Sequence, residues 1–124
     1  KIFEDNFLIP RKGFSYISHN SSSQDEVHHL ELKMIIDEKE VTINGSGNGP
    51  IDSFINGLSK ELKTVIKVSD YHQSAISSGS DAKAAAYIEL EQDGKTNWGV
   101  GINPNTTRAS FEAIIVGLSK LNNS

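Results

Sequence analysis

The residues best placed to hold a charged ligand are Gly45-Ser46-Gly47-Asn48-Gly49-Pro50 and the helix they open. Pro50 fixes φ and lacks an N–H that a first helical turn leaves unpaired in any case. Behind it Ile51, Phe54, Ile55, Leu58 and Leu62 fall on one helical face. A helix start of this kind exposes backbone N–H groups suited to a carboxylate or phosphate. Glycines at every second position predict a departure from strand geometry here, since each lacks a side chain to pack. No Gly-Lys-Ser/Thr follows, so this is not a nucleotide phosphate loop; a tight strand-to-helix turn is the other reading. Four histidines invite a metal. His28 and His29 are adjacent in a strand-like run and point to opposite faces, and no His-Glu-x-x-His spacing accompanies them. No metal site is expected. With no cysteine and no nucleophile elbow, covalent catalysis has no candidate.

A second stretch, Ala75-Ile76 through Asp81-Ala82-Lys83-Ala84-Ala85-Ala86-Tyr87, is rich in alanine, a poor strand former. Either a small-to-large fit between sheet and helix explains it, or the alanines leave a shallow apolar space for a small ligand or partner subunit. Asp70 and Asp81 are the nearby carboxylates able to face an ammonium group.

The elements that must position these residues follow from periodicity. Phe14 to Ser18 alternates, with Phe14, Tyr16 and Ser18 on one side, and Asn20 to Asp25 reads as polar loop. Val27 to Ile36 alternates strongly, with Leu30, Leu32, Met34 and Ile36 facing one way. Asp37 to Glu40 turns the chain, Val41-Thr42-Ile43 returns, and the helix runs to about Lys63. The second half has the same order: Thr64 to Ile76, Ala84 to Glu91, the hairpin turn Asp93-Gly94, Thr96 to Ile102, then a helix carrying Phe111, Ile114, Ile115, Leu118 and Leu121. Gly57-Leu58-Ser59-Lys60 recurs as Gly117-Leu118-Ser119-Lys120. The repeat predicts an α+β domain of two βββα units with pseudo-twofold symmetry, over about 14–63 and 64–124, helices packed on antiparallel sheets. Residues 1–13 read as the end of a linker from an upstream region, which makes the sequence a piece of a longer protein.

Composition narrows the partners. At 124 residues the chain is one domain, and a net charge of −4 without a basic stripe argues against nucleic acid. No stretch approaches the ~20 apolar residues that cross a bilayer. The expectation is a soluble, cytoplasmic domain bound to neither nucleic acid nor membrane.

Several motifs together carry a specific resemblance. Gly47-Asn48-Gly49-Pro50-Ile51-Asp52-Ser53-Phe54, Asp70-Tyr71-His72, the run from Ala75 to Tyr87, and Trp98-Gly99-Val100-Gly101-Ile102-Asn103-Pro104-Asn105 resemble the C-terminal regulatory domain of 2-isopropylmalate synthases. The likeness extends from about Phe14 to Asn122, and Ile2 to Leu8 is similar to the linker preceding that domain. The resemblance implies a duplicated βββα domain that forms a homodimer, binds L-leucine near the subunit interface and inhibits a distant active site. That site condenses acetyl-CoA with 2-oxoisovalerate, in leucine synthesis, on an upstream barrel domain with a divalent metal. The barrel lies outside this sequence, so the piece is expected to hold no cofactor and no catalytic residue. Leucine contacts carry over to Gly47, Asn48, Gly49, Ile51 and Asp52 at the first helix start. Val68, Tyr71, Ala75, Ala82, Ile102 and Pro104 follow. The resemblance does not name the partner of the ammonium; Asp81, a carboxylate beside Ala82, is the expected one. Citramalate synthases carry a related domain that answers to isoleucine; the Trp98-Gly99-Val100-Gly101 form favours the isopropylmalate enzyme. A dimerisation module without effector is the remaining alternative.

Overall fold

The computed structural model describes residues 13–76 and 82–122. Two antiparallel three-stranded meanders each lead into a helix. The first comprises β1 (Phe14–Gln24), β2 (Val27–Ile36) and β3 (Lys39–Gly47), followed by α1 (Pro50–Leu62). The second comprises β4 (Ile66–Ala75), β5 (Ala84–Gln92) and β6 (Lys95–Asn103), followed by α2 (Thr106–Asn122). This is the duplicated βββα, α+β architecture.

Period-two alternation places Leu30, Leu32 and Met34 of β2, and Ala86, Ile88 and Leu90 of β5, under the helices. Phe54 and Leu58 from α1, and Phe111, Ile114 and Leu118 from α2, close the same core from above. The rings of Phe54 and Phe111 meet edge to face at 5.2 Å, so the two units share one apolar interior. Each helix covers its own sheet and also touches the other unit's edge strand, α1 against β4 and α2 against β1.

Three sequence expectations are corrected. Asn20 to Gln24 is strand, not loop: Ser21, Ser22 and Ser23 pair with Leu30, His29 and His28. The turn is only Asp25-Glu26, whose positive φ values (52° and 66°) are those of a two-residue hairpin. Serines on an exposed edge strand look like loop because nothing requires them to be apolar.

The glycine stretch stays in strand geometry through Gly47, Gly45 pairing with Leu30 and Gly47 with His28. A Cβ on Gly45 would overlap the Ser53 carbonyl oxygen of α1 and lie 2.8 Å from the Gly57 nitrogen. In the second unit, a Cβ on Gly99 would overlap the Ala113 carbonyl oxygen. Gly57, in turn, would put a Cβ 3.1 Å from the Asn44 carbonyl oxygen, and Gly117 would put one 3.3 Å from the Gly99 nitrogen. Helix backbone therefore lies almost directly on strand backbone in both units, and this close approach is why both copies of Gly-Leu-Ser-Lys begin with glycine.

Strict alternation also fails on β1 and β4, the first strand of each unit. A bulge between Tyr16 and Ser18 puts His19, not Ser18, on the face of Tyr16; the Tyr16 hydroxyl lies 2.8 Å from His19 Nδ1. An equivalent bulge between Val68 and Asp70 turns Val68 and Tyr71 toward the same face. Without the extra residue, two positions three apart would point to opposite faces.

Candidate functional site

The two helix starts differ. Asn105 caps α2: its Oδ1 accepts the Arg108 N–H at 2.9 Å, and its carbonyl accepts the Ala109 N–H at 2.9 Å. At the start of α1 the N-cap is Gly49, which has no side chain to cap with, and Pro50 follows. The Ser53 N–H reaches the Gly49 carbonyl at 2.9 Å, which leaves the N–H groups of Ile51 and Asp52 without an intrahelical acceptor. Asp52 turns its carboxylate back, Oδ2 accepting the Asn48 N–H at 3.0 Å. Gly47 makes room for that carboxylate, since a Cβ there would overlap Oδ2. Ser53 Oγ donates to the His28 carbonyl at 3.0 Å and fixes this corner of the helix on β2.

An open recess of about 780 Å³ lies between this helix start and β4. Asn48, Gly49, Ile51 and Asp52 line it from one side and Val68 from the other, so five of the sequence-derived site residues meet there. Ile55, Ile66 and Lys67 also line it and were not singled out. Ile55 follows Ile51 by one helical turn, so helical periodicity was the available signal. Ile66 and Lys67 give none, because their place depends on how β4 meets the helix of the other unit.

Ala75, Ala82 and Pro104 meet elsewhere, in a recess of about 360 Å³ between the end of β4 and the start of α2. Tyr71 stands on β4 between Val68 and Ala75, 40 % exposed, with its hydroxyl 3.4 Å from Ser110 Oγ. The bulge aligns all three with the helix-covered face of β5, Val68 beside Leu90, Tyr71 beside Ile88 and Ala75 beside Ala84. The site residues are thus arranged along one face of β4, with a recess at each end.

Ile102 does not join them. Gly99 and Gly101 take the helix-facing positions of β6, so Ile102 points away from α2, paired with Ala85 and 52 % exposed. His72 is on that outer face as well, stacked at 6.1 Å on Trp98 and 3.3 Å from an Asp70 carboxylate oxygen. Asp81 lies outside the described residues. Gly49 is extended (φ −172°, ψ −176°) and a Cβ there would meet nothing within 4 Å, so the turn does not depend on glycine there. Among the described residues, no group of three or more His, Cys, Asp or Glu is placed to hold a metal ion. No helix among them is long and apolar enough to cross a membrane.

The arrangement suits a small zwitterion with an apolar side chain: unpaired N–H groups, a carboxylate beside them and aliphatic walls. A family model described as the LeuA allosteric (dimerisation) domain matches residues 1–122. The chain belongs to that family. The chain is 36 % identical over 121 residues to a 2-isopropylmalate synthase of Mycobacterium ulcerans, covering 95 % of this chain and 21 % of the relative. It is 42 % identical over 100 residues to one from Parafrankia, covering 81 % and 17 %. A third, from Thermobifida fusca, is 35 % identical over 124 residues, covering 100 % and 22 %. The chain thus spans about a fifth of the length of these relatives.

Proposed function

We propose that the chain is the effector-binding regulatory domain of a 2-isopropylmalate synthase, that it senses L-leucine, and that it acts as a homodimer joined to an upstream catalytic domain. The observation that carries this reading is the uncapped start of α1 opening onto an aliphatic recess. The leucine carboxylate goes to the N–H groups of Ile51 and Asp52, where the helix dipole also favours an anion. Its ammonium faces the Asp52 carboxylate. Its isobutyl group lies against Ile51, Ile55 and Val68, where burial is worth about 1.5–3 kcal/mol. The word allosteric in the family description and the names of the relatives support the reading from a separate direction.

The chain contributes no reacting group on this reading; condensation of acetyl-CoA with 2-oxoisovalerate belongs to the catalytic domain and its divalent metal. Leucine inhibits only to the extent that it binds one arrangement of the enzyme better than another. A tenfold effect needs about 1.4 kcal/mol of coupling. The test is calorimetric titration of the chain with leucine, isoleucine and valine. Selective leucine binding is expected. Selectivity for isoleucine would move the chain to a citramalate-type sensor, and no heat from any of the three would refute effector binding.

A further inference from the structure

The recess beside α1 has a counterpart that the duplication creates on the other side of the molecule. Phe14 and Tyr16 on β1 stand where Ile66 and Val68 stand on β4, each pair just before or at the bulge. Arg108, Glu112 and Ile115 on α2 stand where Asn48, Asp52 and Ile55 stand on and before α1, in the register set by the repeated Gly-Leu-Ser-Lys. These residues line a second recess, of about 290 Å³ against about 780 Å³ for the first.

The difference in size has a visible cause. The Arg108 guanidinium carbon sits 4.0 Å above the centre of the Tyr16 ring, and its Nε lies 2.9 Å from Glu112 Oε2. Tyr16 is held in turn by His19, whose ring meets Phe111 edge-on at 5.0 Å. The helix register shuts the counterpart a second way. Pro50, the first residue of α1, is matched by Ser110, which lies inside α2 because that helix starts at Thr106. The N–H groups equivalent to those of Ile51 and Asp52 are consequently used within the helix. One groove has unpaired N–H groups with Asn48 and Val68 at its mouth; the other has Arg108 and Tyr16 in those places and a helix whose N–H groups are already used.

We propose that the chain holds two copies of one groove, that Arg108 and Tyr16 permanently occupy the second, and that each chain therefore takes one effector molecule. In the open groove the effector does what Arg108 does in the closed one, clamping the edge strand of one unit to the helix of the other. This rests on the reading of the α1 recess as the effector site. Asp52 faces the ligand's cation as Glu112 faces Arg108.

The experiment is titration of the chain with leucine, followed by thermal unfolding with and without it, for the wild type and for Asn48→Arg/Val68→Tyr. The wild type takes one leucine per chain and gains about 10 °C in Tm at a hundredfold excess over Kd. The double variant, which supplies the open groove with the clamp of the closed one, binds leucine at least tenfold more weakly and starts from a higher Tm than the wild type. Two leucines per wild-type chain would overturn the inference and leave the effector reading standing. So would a folded double variant that binds leucine normally, or that loses it with no gain in Tm. No binding by the wild type would refute the effector reading and the inference with it. Should the double variant not fold, Arg108→Ala decides the clamp: amide exchange along Phe14 to His19 should quicken with leucine affinity unchanged, and unaltered exchange would overturn it.

Discussion

Two glycines four residues apart should respond oppositely to the same change. Gly45→Ala places a methyl group onto the Ser53 carbonyl oxygen and 2.8 Å from the Gly57 nitrogen, whereas real Cβ atoms essentially never come within 3.0 Å of another atom. Both obstacles are helix backbone, so no side chain can swing aside; α1 must lift from β3 and loosen Phe54 and Leu58, both fully buried. Overpacking costs about 1–3 kcal/mol, and a backbone obstacle puts this case near the top of that range. Reduced freedom of the unfolded chain returns about 0.4–1 kcal/mol, which leaves a net loss of about 2 kcal/mol. For a domain of this size that is a fall in Tm of about 6–12 °C. Gly49→Ala meets nothing within 4 Å and keeps an extended backbone open to any residue. A weaker N-cap costs it about 0.5 kcal/mol, offset by the same unfolded-state gain, so its Tm should stay within about 3 °C of wild type. Thermal unfolding followed by circular dichroism reads both. Equal shifts, or a larger one for Gly49→Ala, would refute the argument that helix proximity and not turn geometry requires glycine in this stretch.

Asp52→Asn keeps an acceptor for the Asn48 N–H but removes the charge facing the ligand. Leucine affinity should fall about tenfold with little change in Tm, and unchanged affinity in calorimetry would remove Asp52 as the ammonium partner. Ala82→Phe, on an exposed position at the rim of the separate Ala75–Ala82–Pro104 recess, should leave both the fold and leucine affinity unchanged; loss of leucine binding would place the effector in that recess and not beside α1. His19 is held below its ordinary pKa by burial, by Arg108 and by His28. Its unfolded form therefore takes up a proton first as pH falls, and its contribution to stability, complete above about pH 6.5, drains away toward the lowered value. Denaturant midpoints of His19→Gln should lose that part of the acid slope; an identical slope would count against it.

The fold was readable because the chain states it twice. Leu30, Leu32 and Met34 announce a one-sided strand, and the two Gly-Leu-Ser-Lys segments align the helices before any contact is known. What resisted reading was whatever depends on a single inserted residue or on the other unit. Ile17 and Ser69 are ordinary residues, yet the bulge at each decides which of its neighbours share a face. Lys67 and Ile66 join the candidate site only because β4 of one unit meets α1 of the other. Ile102 sits beside Gly101 in sequence, and the glycine's need to face α2 sends it to the far side of the sheet. The resemblance brought Val68, Tyr71 and Ala75 into one list; the bulge supplies the physical reason they can share a face.

Duplication alone would give this domain two equal grooves, and an effector filling both would tighten both contacts between the units alike. The departures from symmetry fall where they matter for that outcome. Around the first groove the chain keeps Val68, Asn48 and a helix that begins late; around the second it has Tyr16, Arg108 and a helix that begins a turn earlier. The core does not share this divergence: Phe54 and Ile114, Leu58 and Leu118, and the glycines beneath them hold equivalent, buried places in both halves. On the proposed reading, one contact between the units is fixed by the chain itself and the other is left for a ligand to complete. A ligand that tightens one side of a structure already anchored on the other can bias how the two units sit against each other, whereas a ligand tightening both sides would only stiffen them. Such a bias is the differential that feedback on a remote active site requires.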